Sequence, residues 1–329
     1  MKILITGGAG YIGSHMVKIA QSNNHEVIVL DNFSTGNKWA IDNCETLNID
    51  LLDHEKLSLA LKKINIDSVI HFAAKSLVGE SATKPSHYYM NNVVGTLNLL
   101  NEMKKNDVYN IVFSSTAAIF GLPKTKKINE SHSKNPINTY GQSKLIIEHI
   151  LKDFCRAYDF NATSFRYFNA AGADKSGSIG EFHEPETHLI PNILNSVIDN
   201  DIELSIFGNN FDTFDGTCIR DYVHVCDLAE AHLLGLKHMS SNRGFHDFNL
   251  GNGDGFSVYE VLKSCEKVTQ KSIPFKVINP REGDPAYLVS DSNKAEIQLG
   301  WAPKYNNLDE IILTAWNWHK NNSDKIALR

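Results

Sequence analysis

The chain has no long apolar run. No stretch approaches the roughly 18 apolar residues of a membrane span, and after Lys2 only Ile3, Leu4 and Ile5 precede polar and glycine residues, too few for a signal peptide. Cysteine is sparse. Cys44, Cys155, Cys218, Cys226 and Cys265 are odd in number and have no zinc spacing, which excludes a disulfide-stapled secreted scaffold and fits a cytoplasmic protein. A basic excess is missing too: 32 Lys and Arg against 38 Asp and Glu give a net charge of −6, with no footprint for nucleic acid. Repeats and low-complexity segments are absent. What remains is ordinary globular composition over 329 residues, enough for one large α/β domain or two joined ones.

Short β-branched runs alternate with helical patterns through the first half. Residues 2–6, 26–30, 68–72, 111–114 and 163–167 read as strands, and 11–21, 55–63, 86–105 and 138–158 as helices. Such alternation predicts a doubly wound parallel sheet. In the last helix Ile147, Leu151, Phe154 and Tyr158 form one apolar stripe. The second half is less regular: helix at 189–199, strand at 204–207, a polar loop at 209–217 and a helix at 227–239. The pattern changes near residue 168, dividing the chain into a first domain built on the parallel sheet (1–168) and a smaller mixed α/β domain (169–329), with later strands free to rejoin the first sheet.

The first strand runs directly into Gly7-Gly8-Ala9-Gly10-Tyr11-Ile12-Gly13, which then opens a helix. Glycines at that spacing allow a tight turn, close approach of a pyrophosphate, and tight packing of helix on strand. The helix N-terminus offers unpaired N–H groups to the diphosphate. Asp31 ends the second strand at the distance ribose recognition needs. Its carboxylate accepts from both ribose hydroxyls and repels a 2′-phosphate, and no Arg follows it closely, so the cofactor reads as NAD rather than NADP. The bland alternatives are a glycine turn that binds nothing and an aspartate that merely ends a strand.

Tyr140 and Lys144 stand at i and i+4, on one helix face. An ammonium beside a phenol favours phenolate, and such a phenol can exchange a proton with a substrate alcohol. Ser114-Ser115-Thr116 ends a strand of the same sheet, at the edge where parallel sheets bind ligands.

Together these segments resemble the extended short-chain dehydrogenase/reductase superfamily, and within it the nucleotide-sugar 4-epimerases. The resemblance extends through His71-Phe72-Ala73-Ala74, Asn91-Asn92, Arg166-Tyr167-Phe168-Asn169, Arg220-Asp221-Tyr222 and Arg281-Glu282-Gly283-Asp284. It implies a Rossmann-type fold, bound NAD, a UDP-sugar substrate and interconversion of UDP-glucose and UDP-galactose through a transient 4-keto sugar. It also implies site roles. Tyr140 would be the acid/base, with Lys144 and Thr116 assisting. Gly7, Gly10, Tyr11, Ile12, Gly13, Asp31, Asn32, Asp50, Leu51, Phe72, Ala73, Ala74, Asn91, Ser114, Tyr167 and Phe168 would join Tyr140 and Lys144 around the cofactor. Asn169, Asn192, Phe207, Arg220, Arg281 and Asp284 would hold the nucleotide-sugar with Thr116 and Tyr140. A homodimer packed through the 86–105 and 138–158 helices is implied as well.

The rival chemistries are epimerisation of N-acetylated UDP-hexosamines, decarboxylation and 4,6-dehydration, and from another class non-catalytic NAD(H) sensing. Dehydration needs carboxylates just after Thr116, where Ala117 and Ala118 stand. No metal is expected. His183 and His188 read as loop residues because Pro185 breaks a helical ligand face, and His71 and His224 read as packed structural residues.

Overall fold

A computed structural model describes residues 1–41, 44–199, 201–281 and 283–322. Glu282 of the last resemblance segment and the stretch after 322 lie outside them. In chain order the strands are β1 (Lys2–Thr6), β2 (Glu26–Asp31), β3 (Glu45–Asn48), β4 (Ser68–His71), β5 (Asn110–Thr116), β6 (Lys127–Ile128), β7 (Asn161–Tyr167), β8 (Asn169–Ala171), β9 (Leu204–Phe207), β10 (Ile219–Arg220), β11 (Tyr222–His224), β12 (Phe245–Leu250), β13 (Phe256–Ser257), β14 (Phe275–Ile278) and β15 (Tyr287–Ser290). The helices are α1 (Tyr11–Ser22), α2 (His54–Leu61), α3 (Val78–Thr83), α4 (Pro85–Tyr88), α5 (Gly95–Lys105), α6 (Thr139–Tyr158), α7 (Leu189–Ile198), α8 (Val225–Met239), α9 (Val258–Thr269), α10 (Asn293–Leu299) and α11 (Leu308–Asn321).

Seven parallel strands make the main sheet in the order β12-β7-β5-β4-β1-β2-β3. Both faces are covered, so its strands are apolar on both sides. Ile3 and Ile5 pack with Met16 of α1 and Leu228 of α8, while Leu4 between them packs with Leu99 of α5 and Leu57 of α2. Strand order reverses between β1 and β4, the later strands adding on the β4 side and the earlier ones on the β1 side, which opens a crevice beyond their carboxyl ends. Thr6, Leu30 and His71 share one register line there.

Two departures from the sequence reading stand out. The stretch 86–105 is not one helix: Pro85 starts α4, a π-helical turn spans Tyr89–Val94, and α5 begins only at Gly95. In that turn the buried Asn92 braces the backbone. Its amide accepts from Lys75 N and donates to Lys75 O and Ser143 Oγ. The edge strand β3 is exposed along most of its length and lacks the apolar run that marks the other strands. Beyond residue 168, β12 adds to the main sheet beside β7 and α8 packs into the same core as α1. A second core forms where α7, α9 and α11 pack with β9, while α10 joins the first.

Candidate active site

The glycines of the first turn divide by what surrounds them. A Cβ on Gly13 would lie 2.1 Å from Gly7 O, and one on Gly7, at φ +70°, would lie 2.5 Å from Ala73 N. Those two are glycine because the protein itself fills the space. At Gly10 the nearest atom would be 3.4 Å away. The fold therefore tolerates a side chain at Gly10, and its absence leaves the main chain bare at the mouth of α1. No side chain caps that helix at Gly10, so the N–H groups of Tyr11, Ile12 and Gly13 face the crevice as a phosphate cradle. The arrangement fits a dinucleotide.

Asp31 lies at the end of β2, buried, with one carboxylate oxygen accepting from Ala9 N at 2.9 Å and the other from Phe33 N at 2.8 Å. Burial pushes its carboxyl above the ordinary value, and those two bonds hold it back. The main chain thus fixes both oxygens and leaves each a lone pair for a ribose hydroxyl. Next to it Asn32 donates to Asp50 (2.8 Å), whose other oxygen accepts from Leu52 N, while Asn98 ties down Leu51 O. Phe72 and Ala73 hang from Thr6 O by their N–H groups, with Ala74 following. Asn91 donates to Asn92, which braces the Lys75 backbone.

Tyr140 occupies the first turn of α6, capped by Asn138, which accepts from Gly141 N. Gly141 has a steric reason: its Cβ would meet Ala118 O at 2.5 Å. That close approach sets α6 against the turn after β5 and brings Tyr140 to Thr116. One helical turn on, the buried Lys144 donates to Ser114 O at 2.8 Å, its Nζ 5.9 Å from the centre of the Tyr140 ring. Ser143 Oγ, between them, bonds both Tyr140 O and Asn92.

The electrostatics differ from the sequence expectation. Burial pushes the Tyr140 phenol up to about 12, with a hydrogen bond from Thr116 pulling the other way. Burial also pulls the Lys144 ammonium down to about 7. The lysine does not by itself make the phenol acidic, because among the described residues no carboxylate holds its charge in this dry setting. The Tyr167 phenol shares a hydrogen bond with the Ser114 hydroxyl, and burial lifts its pKa well above the ordinary value.

The other wall of the crevice comes from the second core. Asn169 opens β8, its N–H donating to Asp221 O, and Phe168 packs with Leu288, Ala117 and Leu145. The Arg220 guanidinium bonds Pro285 O and forms an ion pair with Asp284 at 2.7 Å. Arg281 lies over the Phe207 ring, 4.0 Å from its centre, and a Cβ on Gly283 would touch Ile137 near the start of α6. Asn192 sits half-buried on α7, whose apolar side packs with β9. The residues expected around the cofactor and in catalysis thus gather along one sheet edge. Those expected to hold the substrate come from β8, α7, β9, β10 and the loop before β15.

Sequence reasoning gave no role to three braces: Asn92, Asp221 and the Glu148–Arg166 pair. Asp221 is buried and accepts from Ser290, Asn252 and Gly253 N–H groups, with burial raising it to about 6. Arg166 and Glu148 are fully buried and bonded to each other, and Arg166 also reaches Asp247. Each lies inside or next to a segment that carried the resemblance, which was the available signal. His71 and His224 are buried as expected, His71 between the Thr6 and Thr96 hydroxyls. His183 and His188 do lie in a loop, but they converge there with Glu181 and Glu186. Burial opposes charge on the two imidazoles, yet the carboxylates outweigh it and lift His183 to about 9 and His188 to about 10.

Residues 3–251 match the model of the NAD dependent epimerase/dehydratase family. The UDP-glucose 4-epimerase of Lactobacillus helveticus is 49% identical over 322 residues, covering 98% of each chain. The Brucella ovis UDP-glucose 4-epimerase, crystallised with NAD, superposes with a TM-score of 0.93 at 42% identity, covering 96% of this chain and 97% of that one. That of Bifidobacterium longum, in complex with NAD+ and UDP, gives 0.94 at 36% identity, covering 98% and 99%. A bare glycine turn, a buried aspartate at the end of β2 and a Tyr–Lys–Thr set on one sheet edge agree with those likenesses, and the chain belongs to the NAD dependent epimerase/dehydratase family.

Proposed function

We propose that this chain is an isomerase that interconverts UDP-glucose and UDP-galactose through a transient 4-keto sugar, using tightly held NAD. The observation that carries the reading is the meeting of Tyr140, Thr116 and Lys144 at the sheet edge next to the glycine cradle. Gly7, Gly10 and Gly13 with the N–H groups of Tyr11 and Ile12 would hold the diphosphate of the cofactor. Asp31, Asn32, Asp50 and Leu51 would hold its adenosine, and Phe72, Ala73, Ala74, Asn91, Ser114, Tyr167 and Phe168 its remaining length. Bound NAD supplies the hydride acceptor, and then the hydride donor, for C4 of the sugar.

In its phenolate form, which Thr116 steadies by hydrogen bonding, Tyr140 takes the proton of the C4 hydroxyl and, as the resulting phenol, later returns it to the C4 oxygen. Lys144, fixed by Ser114 O, adds positive charge beside the phenol when protonated. Arg220 and Arg281 hold the sugar diphosphate. Asp284 positions the nucleotide-sugar with Phe207, Asn169 and Asn192, and the diphosphate competes with it for Arg220. Ala117 and Ala118 carry no proton-transfer group, which argues against elimination at C5 and C6.

A homodimer is part of the same proposal. Met90 and Leu97, one face of the π-turn and α5, are exposed, as is Tyr158 at the end of α6. A cytoplasmic setting is supported by five cysteines that are all free. The test is direct: purified protein is assayed with UDP-glucose, UDP-galactose and their 2-acetamido counterparts without added NAD. Conversion of the first pair supports the reading, and conversion of only the acetamido pair shifts it to the hexosamine epimerases.

A further inference from the structure

The loop between β8 and α7 folds back on α1. Lys18 reaches Asp174, Ser176 and Ser178, and the Tyr11 hydroxyl donates to Gly172 O at 2.6 Å. At its far end the loop gathers two imidazoles and two carboxylates. His188 Nδ1 lies 3.0 Å from Glu181 Oε1 and 2.9 Å from Glu186 Oε1, while His183 Nδ1 lies 3.4 Å from Glu181 Oε1 and 3.6 Å from Glu186 Oε2. One donor atom from each residue falls within 4.8 Å of all the others.

The four donors lie close enough together to close on one ion. Zinc bonds nitrogen and oxygen at about 2.0–2.2 Å, so the edges of its coordination tetrahedron are roughly 3.4 Å. Two polar atoms of the cluster are poorly satisfied by the protein alone. His183 Nδ1 and Glu186 Oε2 are buried and face each other at 3.6 Å without forming a hydrogen bond, and the Glu186 side chain is only 5% exposed. A buried carboxylate oxygen left unsatisfied is costly, and a cation at the centre satisfies it together with the imidazole. Nitrogen and oxygen donors in fourfold array suit zinc.

We propose that Glu181, His183, Glu186 and His188 form a structural zinc site. Four protein donors leave no open position, so the ion holds the loop and performs no chemistry. What it holds matters. The ring of His183 meets Tyr11 edge-on, 6.1 Å between centres, in the first residue of α1. His188 immediately precedes α7, its carbonyl accepting from Asn192 N. The ion would therefore tie the phosphate cradle of α1 to the helix that carries Asn192.

The test uses the full chain after dialysis against a chelator, titrated with Zn2+ and, as an optical probe, Co2+. One Zn2+ per chain and the intense visible absorption of four-coordinate Co2+ are expected. In Glu186→Gln and in His188→Gln, affinity should fall by more than the roughly 10–100-fold that loss of an outer-shell partner costs. Absence of saturable one-to-one binding, a weak six-coordinate Co2+ spectrum, or wild-type affinity in both variants would overturn the site. Circular dichroism melts check that the variants fold, and the wild-type Co2+ spectrum decides the matter even if they do not.

Discussion

The two walls of the crevice are prepared in different ways. On the sheet side, the groups assigned to NAD are main-chain N–H donors and side chains that main-chain atoms hold still: Asp31 by Ala9 and Phe33, Lys144 by Ser114 O. On the other side, charged side chains satisfy one another. Arg220 spends its charge on Asp284, and Arg281 rests on Phe207. The first kind of site loses little freedom when filled, which suits a group that stays through every cycle. The second must exchange one partner for another, which suits a ligand that arrives and leaves.

The sharpest way to break this contrast is at Tyr140, where the walls meet. Tyr140→Phe should lower kcat by at least about 10²-fold with little change in UDP-sugar binding, read from steady-state rates and ligand titration. Next comes Gly10→Ala. Because its Cβ would meet nothing closer than 3.4 Å, the melting temperature should hold while NAD affinity falls by about tenfold or more, near 1.4 kcal/mol. Gly13→Ala is its counterpart. With Gly7 O at 2.1 Å, it should destabilise the fold by about 1–3 kcal/mol, measured by denaturant unfolding. Asp31→Ala should loosen NAD and weaken its preference over NADP, seen in parallel titrations.

The smallest effect belongs to the exchanging wall. Asp284→Ala frees Arg220 but removes only a partly exposed pair, worth about 1 kcal/mol or less. A shift in KM of a few-fold with kcat unchanged is expected. A large loss of kcat there would mean that Asp284 acts at the reacting carbon.

How legible this was in the sequence follows the same divide. The glycine turn and the Tyr140–Lys144 pair are local: their spacing alone fixes their geometry. So are the strands that alternate with helices. The interruption of 86–105 depends on Asn92 bonding Lys75 and Ser143, partners 17 and 51 residues away. The Tyr140 phenol's upward shift depends on how dry its surroundings are, which residue spacing cannot reveal. The Glu181–His188 cluster escaped because its donors converge through a loop rather than on the helical face that Pro185 forbids.

The central claim is that a single hydrogen leaves C4 and returns to it while Tyr140 handles the proton. UDP-glucose deuterated at C4 should be converted by the purified enzyme in ordinary water. The account predicts UDP-galactose with the deuterium still at C4. Product carrying solvent hydrogen at that carbon would contradict it.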